Sequence, residues 1–178
     1  TTENPDPGET ERTAQRYYAA YKLDRKLDPA NYIFNVLTYE KDVFSGYHYS
    51  ASYALGYGRS LLDSETQELD VELGPGYRVR CLEPEDSYRH CENHEDNPIL
   101  RLAGDYRWNI TETATFREKV STEIAEDGST ARAETSLSSQ INNSLSLRVS
   151  HLLKHNSEVP PGTEKTDHEV TVSLVVSY

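Results

Sequence analysis

The strongest pattern along the chain is a period-two alternation of apolar and polar residues, which recurs in nine segments and predicts β-strands with one oily and one polar face. It is clearest in residues 170–178, where Val170, Val172, Leu174, Val176 and Tyr178 oppose Thr171, Ser173, Val175 and Ser177. Residues 145–154 set Leu145, Leu147, Val149 and Leu153 against Ser146, Arg148, Ser150 and Lys154. Ala131, Ala133, Leu137 and Ile141 oppose Arg132, Glu134, Ser136 and Gln140. Leu100, Leu102, Tyr106 and Trp108 oppose Arg101, Asp105 and Arg107. The same split runs through residues 68–80, with Leu69, Val71, Leu73, Tyr77 and Val79 on the oily side and Glu68, Asp70, Glu72, Arg78 and Arg80 on the other. In residues 47–58, Tyr47, Tyr49, Ala51, Tyr53, Leu55 and Tyr57 face away from His48, Ser50, Ser52, Ala54, Gly56 and Gly58.

Three segments are less regular. Residues 13–24 place Tyr17, Ala19, Tyr21 and Leu23 against Arg16, Tyr18, Ala20 and Lys22, while residues 32–41 are apolar on both faces. Residues 114–125 put Glu118 on the same side as Phe116, Val120 and Ile124, for which a register-shifting bulge or a position near a strand end is expected. No stretch of helical period competes with these strands.

The connections alternate in length. Residues 28–31, 62–66, 109–113 and 142–143 are short, whereas residues 1–12, 81–97 and 156–165 are long, polar and rich in Pro or acid; Ser45-Gly46 and residues 126–129 are shorter members of the second side. Tight turns on one rim and long loops on the other is the layout of an outer-membrane barrel. The net charge of -12 opposes nucleic-acid binding. Its distribution refines this, since residues 1–12 carry -3 and residues 81–97 carry -5, so the acid marks loops. The longest apolar run is the Tyr17 to Tyr21 stretch, far below the roughly 20 residues of a membrane-crossing helix. With no Met in the chain and no charged and apolar leader at its amino end, any signal peptide is expected to have been removed.

A soluble β-sandwich or periplasmic barrel binding a small apolar ligand would turn the oily face inward. Three features favour the opposite sense. The segments run to about 11 residues or more, near the roughly 9–11 that a membrane-spanning strand needs. The polar face mixes both charges with Gly56, Gly58, Gly74 and Gly76, which suits a crowded lumen. Tyr47, Tyr49 and Tyr77 towards one end and Tyr57, Trp108 and Tyr178 towards the other match the aromatic girdles of barrels in lipid. Facing Arg101, Arg148, Arg132 and Arg78 to lipid would cost about 2–4 kcal/mol each at mid-membrane. The expectation is therefore an all-β, antiparallel up-and-down transmembrane β-barrel with a lumen charge network of Glu72, Arg78, Arg101, Asp105, Arg107, Arg132, Glu134 and Arg148.

The carboxyl-terminal strand, with Val170, Val172, Leu174, Val176 and Tyr178 at alternate positions, resembles the assembly signal that the barrel-assembly machinery reads in bacterial outer-membrane proteins. The stretches YEKDVFSGYHYSASYALGYG, VELGPGYR and PPGTEKTDHEVTVSLVVSY together resemble the salt-induced outer-membrane protein family, YdiY-like, whose function is unknown. The resemblance covers nearly all 178 residues. It implies about 12 strands, a Gram-negative outer membrane, contact with its lipid and lipopolysaccharide, and a link to salt or acid stress that rests on the family's name alone. It carries no catalytic residues. Counting back from a periplasmic Tyr178, nine strands leave residues 1–12 outside the cell, whereas such barrels begin in the periplasm with an even count. About three strands are thus expected to precede Thr1, which makes residues 1–178 the carboxyl-terminal part of a single barrel domain.

Candidate chemistry is sparse. Cys81 and Cys91 bracket His90; with His94 nearby they could ligate a metal. An oxidising compartment and a spacing unlike common zinc signatures favour a disulfide that staples an external loop. Glu83, Glu85, Asp86, Glu92, Glu95 and Asp96 suit Ca²⁺ or Mg²⁺, with solvated surface the preferred reading. His151, His155 and Ser157 raise a lipid-hydrolase reading, set against the absence of a nucleophile elbow, Walker loop or HExxH. The function expected is a non-enzymatic narrow pore or envelope-stabilising barrel without a cofactor or metal.

Overall fold

The structure, a computed structural model, describes residues 16–42, 47–82, 94–142, 144–159 and 164–176. These form nine strands: Arg16–Lys26 (β1), Asn31–Asp42 (β2), Tyr47–Asp63 (β3), Gln67–Leu82 (β4), His94–Asn109 (β5), Ala114–Ala125 (β6), Gly128–Asn142 (β7), Leu145–Asn156 (β8) and Thr166–Val176 (β9). Each pairs antiparallel with the next, in the order β1 to β9. β1 and β9 are the two edges of this up-and-down sheet, which among the described residues contains no helix and curls without closing.

The short turns stop their strands by local hydrogen bonding. Asp28 Oδ1 accepts from the amides of Ala30 and Asn31, both at 2.9 Å, an Asx turn that reverses the chain between β1 and β2. Ser64 Oγ both donates to the Gln67 carbonyl and accepts from its amide at 3.0 Å. Thr111 Oγ1 accepts from the Ala114 amide at 3.0 Å, and Asn142 Oδ1 accepts from the Ser144 amide at 3.0 Å. On the opposite rim, Glu126-Asp127 turns into Gly128 at φ 117°.

The register makes the sheet oblique. One ladder row runs from Arg25 through Ile33, Tyr57, Leu73, Leu102, Thr122, Ala131 and His155 to Thr166. It begins beside the short turn that ends β1 and finishes where β9 leaves the opposite rim. Such stagger tilts strands against the axis of a curling sheet.

The concave face explains why residues 32–41 look apolar on both sides. Tyr32, Phe34 and Val36 point inward and form a buried cluster with Ala54, whereas Ile33, Leu37 and Tyr39 are exposed on the convex face. The inward glycines sit where a side chain has no room. A Cβ on Gly56 would lie 2.3 Å from the Leu73 carbonyl oxygen and 2.5 Å from Gly74 Cα, and one on Gly58 would fall 2.2 Å from the Tyr32 ring.

Several boundaries differ from the sequence expectation. β5 starts at His94, pairing with Cys81, because residues 94–99 extend a strand across ground that the Pro and acids mark as loop. β9 starts at Thr166, not at Val170, because Thr166 to Glu169 continue the ladder along β8. No bulge accounts for Glu118. β6 holds register with both neighbours, and Glu118 points outward near its start, between Tyr106 and Thr135.

Candidate functional site

Strand alternation projects one residue in two into the concavity, and the curl brings distant strands together there. Glu40 of β2 is the centre of one cluster: it accepts from Lys154 Nζ of β8 at 2.9 Å and pairs with Arg132 of β7. Arg132 also lies 5.1 Å from the Tyr18 ring centroid of β1. Deeper along β4, Arg78 Nη2 donates to Asp127 Oδ1 at 2.6 Å, Arg80 Nη1 lies 3.5 Å from Asp127 Oδ2, and Arg80 Nη2 donates to Thr130 Oγ1 at 3.0 Å. Glu123 of β6 accepts from Arg101 Nη1 at 3.2 Å and from Ser52 Oγ at 2.9 Å. A further cluster joins Lys22 to Glu72, which also accepts from the Tyr32 hydroxyl at 2.9 Å.

Nearer the short-turn rim, Arg117 Nε and Nη2 form a two-pronged pair with Asp105 at 2.8 and 2.6 Å. Arg148 reaches Glu134 at 2.6 Å. Arg107 and Glu68 stand 3.7 Å apart with both side chains about half exposed. The innermost of these charges are buried in pairs because an ionised side chain taken from water must recover hydrogen bonds and counter-charge. Arg78 is 2% exposed, Arg80 5% and Lys154 4%.

All eight residues expected in an inward charge network lie on the concave-facing parity of their strands. They do not form one network. They divide among separate clusters and a rim pair, and most take partners outside the expected set: Arg78 takes Asp127, Arg101 takes Glu123, Arg132 takes Glu40, Glu72 takes Lys22 and Asp105 takes Arg117. Only Glu134 and Arg148 choose each other. The inward parity of Glu40 and Glu123 was the available signal for the missing partners; Asp127 lies in a turn, where alternation carries no information.

The convex face is the complement of this interior. Leu73, Leu100, Leu102, Val120, Leu137, Leu147 and Val149 are exposed there, and on edge strand β9 Val170, Val172, Leu174 and Val176 are more than half exposed. Tyr57, Tyr77 and Trp108 stand among them, each close to half exposed, and Tyr49 stacks on Tyr39 with centroids 6.1 Å apart. The Tyr57 hydroxyl reaches Asn31 and the Tyr77 hydroxyl reaches Asp96, so both phenols keep a polar partner. The side chain of Tyr47 and all of Tyr178 lie outside the described residues.

Cys81 is fully buried at the end of β4, while Cys91, His90 and the acids Glu83, Glu85, Asp86 and Glu92 lie outside the described residues. Among the described residues no group of three or more His, Cys, Asp or Glu side chains is placed to hold a metal ion. His151 and His155 face outward: His151 stacks on His168 at 5.5 Å, and His155 Nδ1 lies 2.8 Å from Thr166 Oγ1. Ser157 Oγ instead accepts from the Ser129 amide at 2.8 Å. The three residues considered for hydrolysis are thus engaged with separate partners.

A curated relative, the uncharacterized protein YdiY of Escherichia coli strain K12, is 32% identical over 165 residues, covering 92% of this chain and 62% of the relative. The chain therefore spans about three fifths of the length of that relative. A family model described as a protein of unknown function, DUF481, matches residues 4–178. On that match and this identity, the chain belongs to the DUF481 family.

Proposed function

We propose that this chain is part of the wall of a transmembrane barrel in a Gram-negative outer membrane, where it acts as a non-enzymatic structural protein with a narrow or sealed lumen. The observation that carries the proposal is the sorting of side chains: guanidinium, ammonium and carboxylate groups fill the concave side while Leu, Val and Tyr cover the convex side. A soluble domain rarely leaves so large a contiguous apolar surface in water. In lipid the same surface is stabilised, and the alternation of strands keeps the paired charges of the interior away from acyl chains.

A structural role is favoured over an open channel by the filling of the interior. Phe34 and Arg78 are essentially inaccessible, and the inward cavity lined by the arginines measures about 50 Å³. Outward-facing Val170, Val172, Leu174 and Val176 support recognition of β9 by the barrel-assembly machinery, and the exposed Tyr and Trp support anchoring at the lipid and lipopolysaccharide interfaces. Burial of Cys81 supports a disulfide to Cys91 that staples the loop between β4 and β5; mass measurement with and without reductant checks it. A place in salt or acid stress belongs to the same reading and is checked by growth of a deletion strain under each condition.

The deciding experiment is purification followed by electrophoresis with and without boiling, then planar-bilayer recording. The proposal expects solubility only in detergent, a heat-shifted band and no steady conductance steps. Solubility without detergent and an unshifted band would contradict membrane insertion; large steps, reduced or enlarged by Arg101→Ser and Arg148→Ser, would replace the sealed lumen with a pore.

A further inference from the structure

We infer that the convex face carries a site for one glycerophospholipid, with its phosphate at Arg59 and one acyl chain lying in a trough that crosses the strands from β3 to β8. The inference rests on the membrane reading above. The trough encloses about 760 Å³, against about 50 Å³ for the charged cavity on the concave side, so the larger of the two spaces opens outward. Two neighbouring ladder rows make it, one from Arg59 to Leu153 and the other from Tyr57 to Ala131. Between the large side chains of these rows, Gly104, Ala131 and Ala133 lower the floor. Gly104 keeps register with Val71 and Val120, so no bulge explains it. A glycine inside a regular strand marks a place where another group comes close.

The rows climb the wall. Arg59 opposes Asn31, level with the short turn between β1 and β2, whereas Leu153 opposes His168 near the other rim. Five strand spacings of about 4.8 Å separate Arg59 from Leu153, so the trough runs for roughly 24 Å. With strands tilted by about 40°, that length covers roughly 15 Å along the membrane normal, half of a hydrocarbon core about 30 Å thick. A chain that enters beside Arg59 thus follows the trough through the depth of one leaflet.

Arg59 supplies what an oily surface alone lacks. Its side chain is exposed on the outward parity of β3 and forms no ion pair or hydrogen bond among the described residues. Asp28 interacts with it electrostatically, but both Asp28 oxygens are held by Ala30 and Asn31. Glu118, outward beside Val120, stands three strands away, or roughly 14 Å. Arg25 faces outward on β1 and adds positive charge to the same rim. A phosphodiester matches this corner, because two of its oxygens accept from one guanidinium edge. The short turns of outer-membrane barrels face the periplasm, and the leaflet on that side is made of glycerophospholipid.

The test is native mass spectrometry of the full-length protein released from non-ionic detergent micelles and titrated with palmitoyl-oleoyl phosphatidylglycerol. One lipid per chain is expected to saturate, with diacylglycerol of the same chains held about tenfold less firmly. Arg59→Gln should weaken retention of the phosphatidylglycerol by about tenfold and leave that of diacylglycerol unchanged. Ala133→Leu fills the trough and should abolish the saturable lipid, while Ala51→Leu, on the same face outside the trough, should not. Should Ala133→Leu fail to give the heat-shifted band of folded protein, Arg59→Gln decides. No saturable lipid on wild type that shows that band would overturn the site and leave the membrane reading standing; solubility without detergent would overturn both. Retention indifferent to Arg59→Gln and Ala133→Leu would reduce the lipid to the general annulus of a membrane protein and overturn the site. A dimer lost in Ala133→Leu would do so too, by putting a second copy of the chain in the trough.

Discussion

Lys154 on β8 and Glu40 on β2 meet through the interior of the sheet, Nζ to Oε1 at 2.9 Å, although 114 residues separate them in sequence. Both side chains are at least nine-tenths buried, and Arg132 completes the cluster from β7. The contact exists only because the sheet curls. It follows that Glu40 serves as a cross-wall anchor as well as a counter-charge.

Replacing Glu40 by Gln leaves Lys154 and Arg132 facing a neutral amide in a dry place. Removing one partner of a buried pair typically costs about 3–5 kcal/mol. Urea unfolding of the reconstituted protein should show a loss of that order for Glu40→Gln. The exposed rim pair gives the contrast: Glu68→Gln, facing Arg107 at 3.7 Å, should change stability by no more than about 1 kcal/mol.

Neighbouring residues on one strand should respond in opposite ways to polarity. Leu102 faces outward and is exposed, whereas Ala103 faces the interior. Leu102→Arg should destabilise the membrane-inserted protein by about 2–4 kcal/mol, and Ala103→Ser should be close to neutral. Equal effects in vesicle-based unfolding would count against the sidedness.

Gly56 on β3 and Gly74 on β4 stand close to each other, and a Cβ on either would strike the other strand's backbone. Overpacking a tight site typically costs about 1–3 kcal/mol, and a clash with backbone belongs at or above the top of that range. Gly56→Val should therefore abolish or strongly reduce the folded band on unboiled gels. Ala51→Val, on the outward parity of the same strand, should leave it intact.

Asp28 lies in the short turn between β1 and β2, outside the strands. Its carboxyl is held below the usual carboxylate range, chiefly by the Asn31 side-chain hydrogen bond and then by the Ala30 amide. A lowered folded-state value means that the carboxylate's stabilising contribution is complete above the unfolded-state value and disappears as pH falls through the lower, folded-state one. Amide exchange in the β1–β2 hairpin should accelerate on acidification through that window. In Asp28→Ala the hairpin should exchange faster at neutral pH and lose the acid dependence.

The face that each strand turns inward was legible because a strand alternates with period two whatever its tertiary setting. Arg101 and Leu102 could be sorted from their neighbours alone. Partner choice was not, since it depends on stagger and curl, which add up over many strands. Asp105 was grouped with Arg78, Arg101, Arg107, Arg132 and Arg148 but takes Arg117 across a single turn. Lys154 finds Glu40 only after the sheet has wrapped. The doubly apolar β2 gave an ambiguous pattern because Phe34 fills the interior while Ile33 and Leu37 cover the outside. The start of β5 was hidden for a different reason: its pairing with β4 is backbone hydrogen bonding, which the acids at Glu95 and Asp96 do not advertise.

The most direct test of the sidedness of this wall is fluorescence quenching of a Trp placed at Leu102, in a Trp108→Phe background, after reconstitution into vesicles of brominated phosphatidylcholine. Strong quenching by the bromolipid with little effect of aqueous iodide is the result expected of a side chain among acyl chains. Quenching by iodide and indifference to the bromolipid would place Leu102 in water or in a protein core and contradict the account.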